Sequence, residues 1–347
     1  MAHDTVQRKK GSGQLKEFFR ALGPAFGPSL LFLTPKGYWA RTREGRSPFS
    51  PTLYQRRKSL PKASIEGRTL SQEPYLRPTP YCNSHAPEIL ALADNFRQRT
   101  NSDWDYTKSI FDYVRNEIHF AVEPPPRHGA LGTIENGCGL CLDKTNALVA
   151  IARAGGIPAR YCKIGNLSSA ESNTIPNPVQ VFIHHFETWD ESSDWRLRNI
   201  GRGIAQRLKN QAETGFRNAP LFGLHILAEL KIGNSWILTD PTWGDAEAVA
   251  SGMPLPRLGY DPTILGFKFS IVDRSEDIPV GGKYWIGRWL LCMLSRGALD
   301  HLNHSFDERR QEGNRILSEI GEAEYINRMR RFYIPLPAAL DFGLSLR

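Results

Sequence analysis

Apolar residues recur along this chain at two different spacings, and the switch between them outlines its elements. From Pro87 to Arg99, Ile89, Leu90, Leu92 and Phe96 fall on one side of a helix. In DYTKSIFDYVRNEI the same interval returns at Ile110, Phe111, Val114 and Ile118, whereas EPPPRHGALGTIEN breaks it and reads as a loop. A third helix opens at Cys141 and turns Leu142, Leu148, Ile151 and Ala152 inward. It stops at Gly155–Gly156, where positive φ costs nothing, and Pro158 bars its continuation. Beyond it ARYCKIGN, PVQVFIHHFETW, LFGLHILAEL and SWILTD read as strands, the last two flanking the turn KIGN. An Arg-rich insertion of helical character lies between Asp190 and Asn218. The last hundred residues look largely helical. There KYWIGRWLLCML has an apolar face through Trp285, Trp289 and Met293, and a later helix opens at SFDE, where Ser305 and Glu308 have capping-box spacing.

The first 85 residues are different in kind. They are rich in Pro, Gly, Ser and Arg, and only KEFFRALG, stopping at Gly23, suggests a short helix. The chain therefore divides into a basic Pro/Gly-rich extension over 1–85, a core over 86–250 with its insertion at about 190–218, and a mostly helical region over 251–347. Of the net charge of +8, the extension holds more than the whole: residues 1–80 contain 15 Lys and Arg against 5 Asp and Glu, the remainder 29 against 31. Such an arm suits an acidic partner, anionic lipid or nucleic acid, and the competing reading is a solvated extension wrapped over the domain. No nucleic-acid-binding signature accompanies it. No apolar run approaches the roughly 20 residues that span a bilayer. The nearest, ALGPAFGPSLLFL, is interrupted by two Gly-Pro pairs and lacks an A-x-A-like cleavage site, against a signal peptide. Five cysteines are too few, and odd in number, for a disulfide framework, which favours a reducing, cytoplasmic setting.

Two of those cysteines, Cys138 and Cys141, stand three residues apart in NGCGLCLDKTNALVAIARAGGIPAR, and three chemistries compete for them. The spacing is that of half a zinc site, for which Cys82 and His85 offer the other half as Cys₃His. A redox dithiol lacks a strand just before the pair. A nucleophile is the third reading. A thiol at a helix N-terminus meets unpaired N–H groups and the positive end of the dipole, which favour the thiolate. Cys141 stands there, and Cys138 falls in the loop before it. A nucleophilic thiol also needs a His and an orienting carboxylate, and the downstream hairpin supplies both. With a two-residue loop at Ile232–Gly233, His225 lies directly opposite Asp240; with the loop at Gly233–Asn234, Asp240 moves one diagonal step along the same face. Opposite Cβ atoms lie roughly 4.5–5.5 Å apart and diagonal ones about 7–8 Å, so either register allows contact. Asp245 and Glu229 are second choices for the carboxylate. His184 and His185 are rival bases on the neighbouring strand without a facing carboxylate. Cys162 and Cys292 read as core thiols.

These residues carry a resemblance to the transglutaminase-like superfamily of papain-like cysteine enzymes. Gly139-Leu140-Cys141, Arg153 and GGIPAR form one block; HILAEL…WILTDPT, with His225, Glu229, Trp236, Asp240 and Pro241, forms the other. The resemblance implies an α+β fold, with the Cys opening a central helix packed on an antiparallel sheet that carries His and Asp. It implies Cys141 as nucleophile, His225 as general base and then acid, and Asp240 as orienter of the imidazole. The reaction implied is acyl transfer from a peptide, protein amide or thioester through a thioacyl-enzyme, to an amine or to water, with no cofactor. Leu227 departs from the aromatic residue usual two places after the His, and the Arg-rich insertion lengthens the Cys141–His225 interval and reads as a lid or recognition element. A non-catalytic scaffold using the basic arm, or a structural zinc protein through Cys138 and Cys141, are the alternatives.

Overall fold

A computed structural model describes residues 60–66, 70–169, 177–191, 195–213, 225–262, 267–280, 282–294 and 296–342. The expected N-terminal helix at KEFFRALG lies outside them, as does the end of the insertion. Helix α1 (Pro87–Gln98) starts on a proline whose missing N–H is no loss there, and α2 (Asp103–Glu117) starts at Ser102, whose hydroxyl accepts the Asp105 N–H. Strand β1 (His119–Phe120) pairs in parallel with β2 (Cys138–Gly139) around helix α3 (Gly129–Asn136). Helix α4 (Cys141–Ala154) follows, with every residue from Leu142 to Arg153 buried.

Strand β3 (Ala159–Ser169) leads to helix α5 (Asn177–Thr188), the 3₁₀ turn Trp189–Glu191 and helix α6 (Trp195–Glu213). The hairpin β4 (Ile226–Ile232) and β5 (Ser235–Thr239) comes next, then α7 (Asp245–Ala250) and β6 (Phe267–Ser275). Helices α8 (Gly282–Leu294), α9 (Arg296–Ile320) and α10 (Glu322–Arg328), with short 3₁₀ turns at Arg330–Phe332 and Pro337–Phe342, complete the order. The sheet runs β5-β4-β3-β6, antiparallel throughout, and the frame is α+β with α4 at its centre.

The central strands β3 and β4 are buried on both faces. Tyr161 on β3 and Ile226, Ala228 and Leu230 on β4 share one apolar cluster with α1, α2 and α4. Cys162, Ile164 and Leu227 alternate to the other face, under Ile183, Phe186, Trp189 and Ala205 of the α5–α6 hairpin. Central α4 is tied at both ends. Gly155 ends it against α2, where an added Cβ would sit 2.1 Å from the Tyr106 hydroxyl. The Arg153 guanidinium donates to the carbonyls of Ala159, Arg77 and Glu276, joining the helix to β3, to the N-terminal segment and to the turn after β6.

Five elements differ from expectation. PVQVFIHHFETW is helix α5, not a strand: Ile183, Phe186 and Trp189 are buried at intervals of three, and a short apolar run does not by itself separate the two states. GALGTIEN is helix α3, not loop, because Ala130, Thr133 and Ile134 make a buried stripe. Its glycines serve close packing, a Cβ at Gly132 meeting Pro126 at 2.9 Å. Ser305 caps nothing: it lies inside α9 and satisfies its hydroxyl on the Leu302 carbonyl. Cys138 belongs to β2 and not to a loop, and β6 adds to the sheet from a stretch expected to be helical.

Candidate active site

Three local devices aim the N-terminus of α4. Gly139 allows the chain to pass Asp143, whose Cβ would be 2.6 Å from a Cβ at that position. Asp143 turns back to accept the Leu140 N–H at 2.9 Å, satisfying a donor the helix leaves open. One turn in, the Thr145 hydroxyl donates to the Ile226 carbonyl at 2.9 Å, fixing the helix against the first residue of β4. Cys141 is thereby held beside His225, the residue just before β4, and is the one cysteine of the five that is partly exposed.

The hairpin has the second of the two expected registers. Ile232 pairs with Ser235 around a Gly233–Asn234 turn, so Ala228 faces Thr239 and Asp240 lies one diagonal step from His225. The imidazole bridges that step: its Nε2 is 2.8 Å from Asp240 Oδ2, and the ring also hydrogen-bonds the Cys141 thiol. Nε2 is taken by the carboxylate, which leaves Nδ1 for the sulfur. Burial alone would strip the His225 proton, but the Asp240 carboxylate and the Cys141 sulfur outweigh it and raise its pKa well above the usual imidazole range. Asp240 shows the converse. Burial pushes its carboxyl up, while His225 and the Thr242 N–H, donated at 2.9 Å, hold it below the ordinary value.

The remaining candidates are engaged elsewhere. Glu229 accepts from Arg160 at 2.6 Å and Arg274 at 3.0 Å, and Asp245 is held by Arg115, Asn116 and Arg257. His184 lies on the exposed side of α5 beside Glu187, and His185 is on the same helix, so neither occupies a neighbouring strand. Burial, reinforced by Glu123 and Asp143, pushes the Cys138 thiol well up; burial does the same for Cys82 and Cys162. The two halves of the expected Cys₃His set do not meet. Cys82 neighbours Arg153 and Tyr161, Cys138 neighbours Glu123 and Arg288, and among the described residues no three His, Cys, Asp or Glu side chains are grouped to hold a metal.

Sequence reasoning missed three participants. Asp143 follows Cys141 by two residues without any motif of its own, and Arg288 on α8 grips it through both oxygens. Lys144 is fully buried near Asp240 and Glu247, donates to the Arg115 carbonyl, and is pulled down to about 8 by its burial. A cleft of about 480 Å³ opens beside Asp143, walled by Tyr81, Pro126, Trp285 and Trp289.

Comparison with known proteins matches part of the chain. Residues 90–241 match the family model of the transglutaminase-like superfamily, from within α1 to one residue past Asp240. A solved structure described as a "putative cysteine protease", from Cytophaga hutchinsonii, is similar at 20% identity over 53% of this chain, with a TM-score of 0.31. This chain spans 46% of that one, less than half its length. No curated protein matches the sequence. Among the described residues no helix is long and apolar enough to cross a membrane. The matched segment is less than half of the chain, and over it the chain is similar to the transglutaminase-like superfamily.

Proposed function

We propose that this chain is a cysteine-dependent acyl-transfer enzyme, with Cys141 as nucleophile, His225 as proton carrier and Asp240 as orienter. The observation that carries the reading is the Cys141–His225–Asp240 hydrogen-bonded line at the open N-terminus of α4. An imidazole that keeps its proton between a sulfur and a buried carboxylate is one half of a thiolate–imidazolium pair.

The sulfur attacks the carbonyl carbon of an amide or thioester, and a C–S bond forms. The carbonyl π electrons move to oxygen, where the Cys141 backbone N–H and the helix dipole supply stabilisation; one such donor is typically worth about 10²–10³ in rate. The intermediate collapses as His225 gives its proton to the departing amine or thiol, leaving a thioacyl-enzyme. An amine or water then loses a proton to His225 and attacks the thioester, and the C–S bond breaks to restore Cys141. Transfer to an amine makes an amide-forming acyltransferase; transfer to water makes a peptidase or amidase. The donor is a peptide, a protein amide or a thioester, and we assign it to the aromatic cleft beside Asp143. That volume lies inside the roughly 300–1,000 Å³ of small-molecule sites. The basic arm, largely outside the described residues, we assign to an acidic partner, and the five free thiols suit a cytoplasmic setting.

Intact-mass measurement with an activated acyl donor tests the assignment. Cys141→Ala is expected to abolish the acyl adduct, and Cys138→Ala to leave it in place. Loss of the adduct on Cys138→Ala, with retention on Cys141→Ala, overturns it.

A further inference from the structure

Asp240 is not the only carboxylate close to Cys141. Asp143, 2% exposed, sits on the same helical turn as the nucleophile. Its charge suits a helix N-terminus, but it also opposes negative charge on a sulfur two residues away. The protein answers this with a residue from outside the matched family segment. Arg288, 1% exposed, donates through Nη1 and Nη2 to the two Asp143 oxygens at 2.9 and 2.6 Å. Its Nε donates to the Glu123 carbonyl at 2.8 Å, so the fork is held from behind, and the Glu123 side chain is in turn bonded by Asn303 of α9. Planar, bidentate contact fixes the rotation of the carboxylate, which a lysine would not do.

We propose that Arg288 is a positioning residue of this active site: its fork aims Asp143 at the Leu140 N–H and cancels the charge that Asp143 would otherwise turn on Cys141. The proposal rests on Cys141 being the nucleophile. The other groups around the thiol are His225 with Asp240 behind it on the sheet side, and Tyr284 on α8, which lies within electrostatic reach of both Cys141 and Asp143. Cys292, Glu123 and Arg310 surround the Arg288–Asp143–Cys138 neighbourhood, and Lys144 faces Asp240 and Glu247. The Arg288–Asp143 pair joins helix α8 to the nucleophile's own turn by direct, buried bonds.

The test is the pH dependence of iodoacetamide alkylation at Cys141, read by peptide mass in the full chain. In Arg288→Met the bare Asp143 charge is expected to move the midpoint up by about one pH unit, about tenfold in rate at pH values below it. Asp143→Asn, which leaves the Arg288 charge unpaired, is expected to show no upward shift, and the double variant Arg288→Met/Asp143→Asn, with neither charge, to return to the unmutated curve. A purely structural role predicts that the double variant stays as displaced as Arg288→Met; that outcome, or an Arg288→Met curve superimposed on the unmutated one, overturns the proposal. Should Arg288→Met not fold, Arg288→Lys keeps the charge and is expected within about 0.3 unit of the unmutated midpoint; a full upward shift there overturns it equally. Failure of the unmutated protein to form an acyl-enzyme bears on acyl transfer alone, because alkylation needs no acyl donor.

Discussion

Arg153 is where the central helix is most exposed to a single substitution. Its guanidinium, 3% exposed, donates to the Ala159 carbonyl from Nε at 3.1 Å and from Nη2 at 2.8 Å. It also reaches the Arg77 carbonyl at 2.8 Å and the Glu276 carbonyl at 2.6 Å. The Arg77 side chain then closes the loop by pairing with the Glu276 carboxylate at 2.8 Å. Arg153→Met preserves length and apolar contact but strands three carbonyls. A hydrogen bond to a charged group is worth about 1.5–3 kcal/mol net, and release of a buried guanidinium offsets part of the sum. The expected loss is about 3–5 kcal/mol, at least about a fifth of a typical total of about 5–15 kcal/mol. Arg153→Lys, with a point charge in place of a fork, is expected to recover about half of it.

Equilibrium urea unfolding followed by tryptophan fluorescence measures both variants, with the free energy taken from midpoint and slope. Because the three carbonyls lie at the C-terminal end of α4, acylation of the folded fraction is expected to change little. A loss below about 1 kcal/mol in Arg153→Met at unchanged slope would refute the reasoning, since it would mean that water replaces the guanidinium at no cost.

Further tests separate the site from its frame. His225→Gln should destabilise the protein most between about pH 4 and 6.5. The raised His225 pKa gives stability that is complete below the unfolded value of 6.5 and is lost as pH rises through the folded one; the depressed Asp240 pKa gives stability complete above 3.8 and lost as pH falls. A gap between unmutated and variant protein that widens as pH rises above 6.5 contradicts that sign. Gly155→Ala should cost about 1–3 kcal/mol by driving a methyl into the Tyr106 hydroxyl, and Tyr106→Phe in the same chain should relieve part of it; additive losses in the double-mutant cycle would exclude the clash. Glu229→Gln should lower stability by about 1–3 kcal/mol through Arg160 and Arg274 yet leave the rate of thioacyl-enzyme formation unchanged, and a tenfold rate loss would return Glu229 to contention as the imidazole's partner.

The three residues of the hydrogen-bonded line were legible because each stands where an element begins or ends. Cys141 follows a Gly-rich approach and opens α4, and the two-residue period of the hairpin puts His225 and Asp240 on one face in either register. Gly155–Gly156 and Pro158 mark the other end of the helix equally plainly. Where punctuation and period disagreed, the reading failed. Gly129 and Gly132 signal a loop, but in α3 they are spaces for Tyr81 and Pro126 to enter. The valine-rich start of PVQVFIHHFETW signals a strand, and only the α6 partner and the sheet face beneath it make helix α5 the better solution.

What escapes the sequence altogether is the support, and the reason is sequence distance. Asp143 meets Arg288 across 145 positions, and Arg153 meets Glu276 across 123. An arginine within GRWLL reads locally as the polar side of an amphipathic helix, yet Arg288 is among the most deeply buried side chains in the protein. Its neighbours on α8, Ile286 and Trp289, are the exposed ones, which inverts the ordinary amphipathic expectation for that segment. The inversion is itself informative. The helix lends Tyr284 to the core, yet it also buries its cation against the first turn of α4 and shows Ile286 and Trp289 to a cleft. On the proposed mechanism the region after residue 250 therefore supports the site as well as the packing, and a chain cut there would keep Cys141, His225 and Asp240 while losing the arginine that holds Asp143.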